Sequence, residues 1–366
     1  MNADPVVAPG GWIGILGGGQ LGRMLALAAA ELGINIHILD PDPEAPAADV
    51  APRTTRAAFD NKEALTAFAR SVDVITYEFE NVPAETAAHL AGLRPVFPGP
   101  RALATAQDRL EEKSFIRALK IGTAPFAKAD TPEEAAAAAS VLGLPAILKT
   151  RRLGYDGKGQ VKLTRPEDAV PTFAALGGVP CILERFVAFE REISVIAARG
   201  HDASLAAYDP VENIHENHIL RSTLAPARIA EETAGKARAI AQEILTALDY
   251  VGVMGVEMFV LGDGSLLVNE LAPRVHNSGH WTMDACYVSQ FEQHIKAVAG
   301  WPLGTTERHS DAIMHNLLGQ EVEQWRNLSS DSRTHLHVYG KRQTKPGRKM
   351  GHYTRLYARG LRPNRT

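Results

Sequence analysis

Cysteine is nearly absent from this chain. Only Cys181 and Cys286 occur among 366 residues, both in apolar surroundings. A disulfide framework does not fit such usage, and a reducing compartment does. A strong net charge is also missing: 39 Lys and Arg oppose 42 Asp and Glu, a formal balance of -3. That balance calls for neither a polyanionic partner nor a membrane surface. The longest apolar run, 135–148, is interrupted by Ser140, Gly143 and Pro145 and cannot span a bilayer. No Lys or Arg precedes Arg23, so no positively charged region leads into an apolar stretch, and a cytoplasmic location is expected. Charge is uneven in one place only. From Lys341 to Thr366 there are nine Lys and Arg and no acidic residue. A solvated surface is the plain reading of this basic tail, with nucleic-acid binding as the alternative.

What is present suits a globular enzyme-sized chain of two or three domains, 45% hydrophobic and 22% charged. Residues 12–100 alternate strand-like runs (12–16, 34–39, 72–76) with helical patterns (21–32, 61–70, 84–90). Alternation of this kind predicts a Rossmann-like α/β domain with a parallel sheet. Pro95, Pro98 and Pro100 then punctuate the chain before one long predicted helix, 101–119. Beyond residue 123 the runs 146–149, 161–163, 182–186, 192–198, 251–260 and 266–271 read as strands. They are separated by Gly-rich turns and two helices, 132–142 and 231–248, which together predict an α+β domain. The expected division is 1–108, 109–300 and a small C-terminal segment 301–366, the last carrying the strand-like "HLHVYGK".

Two stretches carry chemistry. "GILGGGQLGR" holds Gly-x-Gly-x-x-Gly at Gly17, Gly19 and Gly22, with Asp40 ending the next apolar run. A dinucleotide site places its ribose acceptor there, so NAD binding is the first reading this motif raises. "GVEMFVLGDGSLLVNELAP" is more informative. If Asp263-Gly264 form a two-residue hairpin loop, Gly262 pairs with Ser265, Met258 faces Asn269 and Glu257 stands opposite Glu270. Two opposed carboxylates among Val, Met, Phe and Leu demand a proton or a cation. Oxygen donors without neighbouring His or Cys favour magnesium, which takes its remaining oxygens from phosphate and water. "KTRRLGYDGKGQ", residues 149–160, supplies a phosphate cover: Gly154, Gly157 and Gly159 permit close backbone approach, and Lys149 and Lys158 add charge.

Taken together, "GYDGKGQ", "ILERFVAFEREISVI" and "LVNELAPRVHNSGHWT" resemble the ATP-grasp superfamily. With "GGGQLGRM" and "KPGRKMGH" they resemble, more narrowly, its 5-(carboxyamino)imidazole ribonucleotide synthase family. The resemblance runs from about residue 12 to residue 352. It implies ATP as co-substrate, with Arg109 and Lys149 on the phosphates and Gly154, Tyr155, Asp156, Gly157, Lys158, Gly159 and Gln160 closing over them. Glu184, Arg185, Phe186 and Val187 are implied as the adenine hinge, Glu192 as the ribose ligand and His215 as a neighbour of the nucleotide. Glu257, Glu270 and Asn269 are implied as the magnesium ligands, manganese being the alternative metal. Arg274 is expected to hold carboxyphosphate or carboxylate, and His276 and Asn277 to orient the amine, with His276 as a candidate proton acceptor. Tyr155 and Asp156 are expected to touch the imidazole. By the same resemblance the glycine loop (Gly19, Gln20, Leu21) faces the ribonucleotide, Glu78 and Glu80 its ribose, and Lys341 and Arg348 its 5′-phosphate. The implied reaction is carboxylation of 5-aminoimidazole ribonucleotide through carboxyphosphate, in purine biosynthesis, by a homodimer that binds small molecules and no nucleic acid. Leu153 stands where a second lid glycine is expected. A formate-dependent glycinamide ribonucleotide transformylase is the nearest rival; an NAD-dependent oxidoreductase leaves the glutamate hairpin and the lid unexplained.

Overall fold

The N-terminal strands form a parallel sheet in the order β3-β2-β1-β4: β1 (Trp12–Leu16), β2 (Asn35–Leu39), β3 (Arg53–Thr55) and β4 (Val74–Tyr77). β1, β2 and β4 are buried almost throughout, as a parallel sheet covered by helices requires. The computed structural model describes residues 6–154 and 157–363. The crossover helices Gln20–Glu31, Lys62–Arg70 and Ala84–Ala91 lie where the alternation predicts them. Asn61 caps the second by accepting the Ala64 N–H.

The helix expected over 101–119 is two helices, Pro100–Gln107 and Arg109–Ala118, separated by Asp108 in an extended conformation. An aspartate inside a helical pattern competes for backbone N–H groups and favours the N-cap. Here its carboxylate accepts the N–H groups of Leu110 and Glu111. It also pairs with Arg151 at 2.8 Å, and Arg151 reaches Asp130 at 3.1 Å. The break makes Arg109 the first residue of its helix.

β5 (Phe126–Ala129), β6 (Ala146–Thr150), β7 (Gln160–Leu163) and β8 (Cys181–Arg185) form a small antiparallel sheet ordered β5-β8-β6-β7. It packs on an alanine-rich layer that includes the helices Pro132–Leu142 and Ala169–Ala175. The remaining strands build one large antiparallel sheet. They are β9 (Arg191–Arg199), β10 (Leu205–Ala207), β11 (Val211–Glu216), β12 (Ile219–Ala225), β13 (Gly252–Val260), β14 (Leu266–Ala272), β15 (Asp311–Leu318), β16 (Thr334–Val338) and β17 (Lys349–Tyr357). Their order is β14-β13-β9-β11-β12-β15-β17-β16, with β10 beside β9. The segment after residue 301 therefore has no sheet of its own: β15 pairs with β12 and carries β17 and β16 onto the central sheet. One apolar core runs from β1 and the helix Gln20–Glu31 through Trp281 and Phe291 to β15, tying the first and last thirds of the chain together. Among the described residues no helix is long and apolar enough to cross a membrane.

Asp108 holds a helix start and a half-buried guanidinium at once. Asp108→Ala is expected to lower unfolding stability by about 3 kcal/mol, the loss of a cap together with a partly buried ion pair. Urea unfolding checks this, and a change below about 0.5 kcal/mol, the size of an ordinary surface substitution, would remove Asp108 from that role.

Candidate active site

Glu257 on β13 stands opposite Glu270 on β14, as expected, but by a different route. The Leu261 N–H bonds to the Ser265 carbonyl, and the Gly264 N–H to the Leu261 carbonyl, so the loop has three residues, with Gly264 at φ +78°. That loop offsets the register by one, placing Met258 opposite Val268 where Asn269 was expected. A β-bulge between Glu257 and Met258 then restores the offset and leaves Asn269 as the extra residue. Without the bulge, strict alternation would send Asn269 and Glu270 to opposite faces. With it, both are half-exposed between the buried Val268 and Leu271.

The two carboxyls have different surroundings. Burial, with Glu270 opposite, pushes the Glu257 carboxyl well above the usual range. Burial also disfavours the Glu270 carboxylate, but the charges of Arg109, Lys149 and Lys113 outweigh it and hold Glu270 below the usual range. Arg109 Nη1 lies 3.4 Å from Glu270 Oε2, and its Nη2 donates to the Gly154 carbonyl at 3.2 Å, joining the carboxylate to the lid. Lys149 Nζ donates to Glu184 Oε2 at 3.1 Å. Lys113, which the sequence reading missed, is fully buried. It donates to the carbonyls of Val268 and Asn269 at 3.2 and 2.6 Å and lies 3.8 Å from Glu184. Its spacing four residues after Arg109 was the available signal, because i and i+4 share a helix face. Glu112, also unforeseen, accepts the Leu271 N–H of the same strand at 2.7 Å.

The expected lid falls in the β6–β7 connection, and Gln160 opens β7 opposite Lys149. Gly159, at φ +72°, would place a Cβ 2.6 Å from Thr150 Oγ1; Gly157, at φ +78°, would place one 2.6 Å from the His218 side chain on the β11–β12 turn. Leu153 adopts φ +65° with its side chain largely exposed, so the position expected to be glycine has a glycine's backbone. Lys158 is exposed. Tyr155 and Asp156 lie outside the described residues. Along the hinge, Glu184 is buried, while Arg185 and Phe186 are exposed and Val187 is half-buried. The Arg185 and Phe186 N–H groups bond to the carbonyls of Pro125 and Pro145. Glu192 on β9 forms a short hydrogen bond with His215 on β11. Burial draws the His215 imidazole downward, yet Glu192 outweighs it and raises its basicity.

Across the cleft lies the loop that follows β14. Gly255 gives it room, since a Cβ there would fall 2.7 Å from that of His276. His276 Nε2 comes 3.4 Å from Glu257 Oε1, and its Nδ1 bonds to Ser278 Oγ at 2.8 Å. Burial and the nearby Arg274 keep the imidazole well below its ordinary range, hence neutral. Gln290 fixes the His276 peptide at both N–H and C=O. Asn277 is joined reciprocally to Asn316 through both ends of its amide, at 3.0 and 2.7 Å. Arg274 Nη2 meets Glu80 Oε2 at 2.6 Å and bridges to the N-terminal domain.

The glycine loop differs from its first reading. The Gly18 N–H donates to Asp40 and the Gly19 N–H to Glu78, each at 2.6 Å. Two carboxylates of the protein thus occupy the amides that a dinucleotide pyrophosphate would need. A Cβ on Gly19 would meet Glu78 Oε1 at 2.7 Å, so glycine here makes room for Glu78 and not directly for a ligand. Burial raises the Glu78 carboxyl to about 7 against the opposing Gly19 N–H and Arg274 charge. Leu21 packs in the core. Lys341 Nζ reaches Gln20 Oε1 at 2.5 Å and the Lys349 carbonyl at 2.6 Å, which brings the C-terminal strands onto the glycine loop. Burial and the Arg348 charge lower Lys341 to about 8. Arg348 Nη1 donates to the Gln343 carbonyl at 3.0 Å. Lys349, missed although it adjoins Arg348, opens β17 close enough for its charge to act on Glu257, His276 and Lys341.

A small open cleft is lined by Glu80, Gln107, Arg109, Leu153, Gly154 and Glu270 among others. It runs from Glu270 and Gly154 to Glu80 of the N-terminal domain. The chain matches the ribonucleotide synthetase preATP-grasp domain over residues 11–107, the ATP-grasp domain over 114–291 and the phosphoribosylaminoimidazole carboxylase C-terminal domain over 312–359. It is 53% identical over 355 residues to the N5-carboxyaminoimidazole ribonucleotide synthase of Brucella melitensis, covering 96% of this chain and 98% of that one. The crystal structure of the Thermus thermophilus synthetase of that name superposes with a TM-score of 0.89 at 46% identity, over 94% and 93% of the two chains. The Aspergillus clavatus synthase, in complex with ADP and 5-aminoimidazole ribonucleotide, gives 0.88 at 32% identity, over 95% and 94%. The chain belongs to the N5-carboxyaminoimidazole ribonucleotide synthase family of ATP-grasp ligases.

Proposed function

We propose that this protein carboxylates the exocyclic amine of 5-aminoimidazole ribonucleotide, consuming ATP and bicarbonate and releasing ADP and phosphate. The observation that carries the reading is a single cleft. Arg109, Glu270 and Gly154 line it together with Glu80 of the N-terminal domain, and Arg274 pairs with that Glu80. Phosphoryl transfer and amine carboxylation need to share one space, because the intermediate is lost to water otherwise. The names of the relatives favour this reaction over formylation of glycinamide ribonucleotide.

ATP enters between the two antiparallel sheets, with its phosphates on Arg109, Lys149 and the lid glycines, its adenine along 184–187 and its ribose hydroxyls at Glu192. Glu257, Glu270 and Asn269 fit magnesium: the donors are oxygens only, and the opposed carboxyls require a cation or a proton. Bound there, the metal supplies neutralisation of phosphate charge. A bicarbonate oxygen attacks the γ-phosphorus, the bond to the ADP oxygen breaks, and carboxyphosphate forms. Lys149 and Arg109 stabilise the charge spread over the phosphoryl oxygens, so positioning and electrostatics do most of the catalysis. Arg274 holds the carboxyphosphate carboxylate through its planar fork. Loss of phosphate gives carbon dioxide, which bonds to the amine nitrogen, and the released proton passes to the neutral His276 imidazole. Asn277, through Asn316, holds the loop that presents His276. Lys341 and Arg348 receive the 5′-phosphate, with Glu78 and Glu80 at the ribose. Lys349 adds positive charge between these sites.

An ADP-release assay crossing bicarbonate and formate with the aminoimidazole and glycinamide ribonucleotides tests the assignment. Release is expected to be fastest with bicarbonate and the aminoimidazole ribonucleotide, and a formate requirement contradicts it. Glu270→Gln is expected to abolish nearly all magnesium-dependent turnover while the fold survives. Turnover within about threefold of wild type, roughly 0.65 kcal/mol of barrier, would move the metal site elsewhere. Arg348→Ala is expected to raise the Michaelis constant for the ribonucleotide at least tenfold, about 1.4 kcal/mol, with little change for ATP. The dephosphorylated nucleoside should respond much less, and equal losses for the two would show that Arg348 supports the fold and does not read phosphate.

A further inference from the structure

On the C-terminal strands lies a second polar cluster that the reaction does not use. His335 and His337 are two residues apart on β16 and so share a face, and β17 places His352 directly opposite His337. The rings of His337 and His352 stack with centroids 4.6 Å apart. Asp284, on the short helix Thr282–Ala285, accepts from His337 Nε2 at 3.0 and 3.1 Å and lies 3.8 Å from His335 Nδ1. One ligand atom each from Asp284, His337 and His352 lies within 4.8 Å of the other two.

His352 is the informative member. It is 0% exposed; its Nδ1 bonds to the buried Tyr339 hydroxyl at 2.8 Å, and its Nε2 is buried with no partner. A ring nitrogen held on one side and bare on the other is the arrangement of a metal-ligating histidine, whose second nitrogen is fixed by an outer partner. His280 packs against the same ring, centroids 4.8 Å apart, but has a different chemistry. Gln290 is oriented by both ends of the His276 peptide, so its amide N–H donates to His280 Nδ1. That leaves a proton on His280 Nε2, and His280 is not among the residues whose ligand atoms converge here, whereas a metal would displace the proton His337 shares with Asp284. Two imidazoles and a carboxylate, with the half-exposed His335 able to swing into a fourth position, match zinc-type coordination and not the all-oxygen preference of magnesium. The partial exposure of His335 and His337 provides an entry path.

We propose that Asp284, His337 and His352, completed by His335, form a binding site for a divalent transition-metal ion of the zinc type, separate from the cleft. Bound there, the ion links β16 and β17 to the helix Thr282–Ala285. That helix follows the loop of His276 and Asn277, so the metal fastens β17, which opens at Lys349, and β16, which leads to Lys341, to the loop carrying the proton acceptor.

Cobalt titration of the chelator-stripped full-length protein tests this. One equivalent is expected to give the intense visible absorption of a tetrahedral nitrogen and oxygen site, with zinc displacing it. His337→Ala should weaken cobalt and zinc binding at least tenfold, and His335→Ala should weaken it less. Glu270→Gln, which alters the cleft, should leave both spectrum and stoichiometry intact, and zinc should raise the melting temperature in that background. If His337→Ala does not fold, Asp284→Asn and the zinc-dependent melting of the Glu270→Gln protein decide the matter. Absence of the cobalt band, equal binding by wild type and His337→Ala, or loss of binding in Glu270→Gln would each overturn the proposal.

Discussion

Two carboxylates facing each other across one hairpin set the terms for the rest of this molecule. Directly opposed residues hold their Cβ atoms about 5 Å apart, and two unit charges at a comparable separation repel by about 3 kcal/mol at an effective dielectric of about 20. The protein offsets this unequally. Arg109, Lys149 and Lys113 converge on Glu270 and keep it ionised, while burial leaves Glu257 reluctant to ionise. The pair is therefore tolerated without a cation and completed by one. The surrounding irregularities serve that pair: the bulge that turns Asn269 and Glu270 to the site, the helix break that starts a helix at Arg109, and the glycine gap that lets His276 approach Glu257.

How much of this was legible in the sequence depends on range. Local patterns located β1, β2, β4, the crossover helices, β6 to β9, β13, β14, β16 and the Glu257–Glu270 opposition, but not β5, β10, β11, β12, β15 or β17. The opposition was reached through two compensating departures, a three-residue loop and a bulge, each shifting register by one. Turn composition cannot distinguish these alternatives, because Asp263-Gly264 suits either loop. Asp108 hid its helix break because a periodic apolar pattern ran through it, and only the partner Arg151, 43 residues away, makes the cap decisive. Lys349 and Asn316 were missed for the same reason, since their parts come from tertiary neighbours, and Lys113 was missed although its spacing after Arg109 was a local signal. The membership of β15, β16 and β17 in the central sheet likewise depends on pairing that no local window contains.

The glycine loop shows how a motif can be read correctly as geometry and wrongly as chemistry. Gly17, Gly19 and Gly22 do make a tight turn into a helix, as in a dinucleotide fold. Which anion the turn receives is decided by Asp40 and Glu78, which take its first two free amides. With these donors satisfied internally, the helix end presents Gln20 to Lys341, and the site is assembled from opposite ends of the chain. A nicotinamide dinucleotide has no place for its pyrophosphate in that arrangement.

The central claim is that bicarbonate is phosphorylated in the cleft between the glutamate pair and the acidic loop, and is held there until the amine takes its carbon. Turnover with oxygen-18 bicarbonate tests it directly. The attacking oxygen stays on phosphorus when carboxyphosphate breaks down, so released phosphate is expected to carry one labelled oxygen for each ribonucleotide carboxylated. Unlabelled phosphate, formed alongside carboxylated product, would contradict the account.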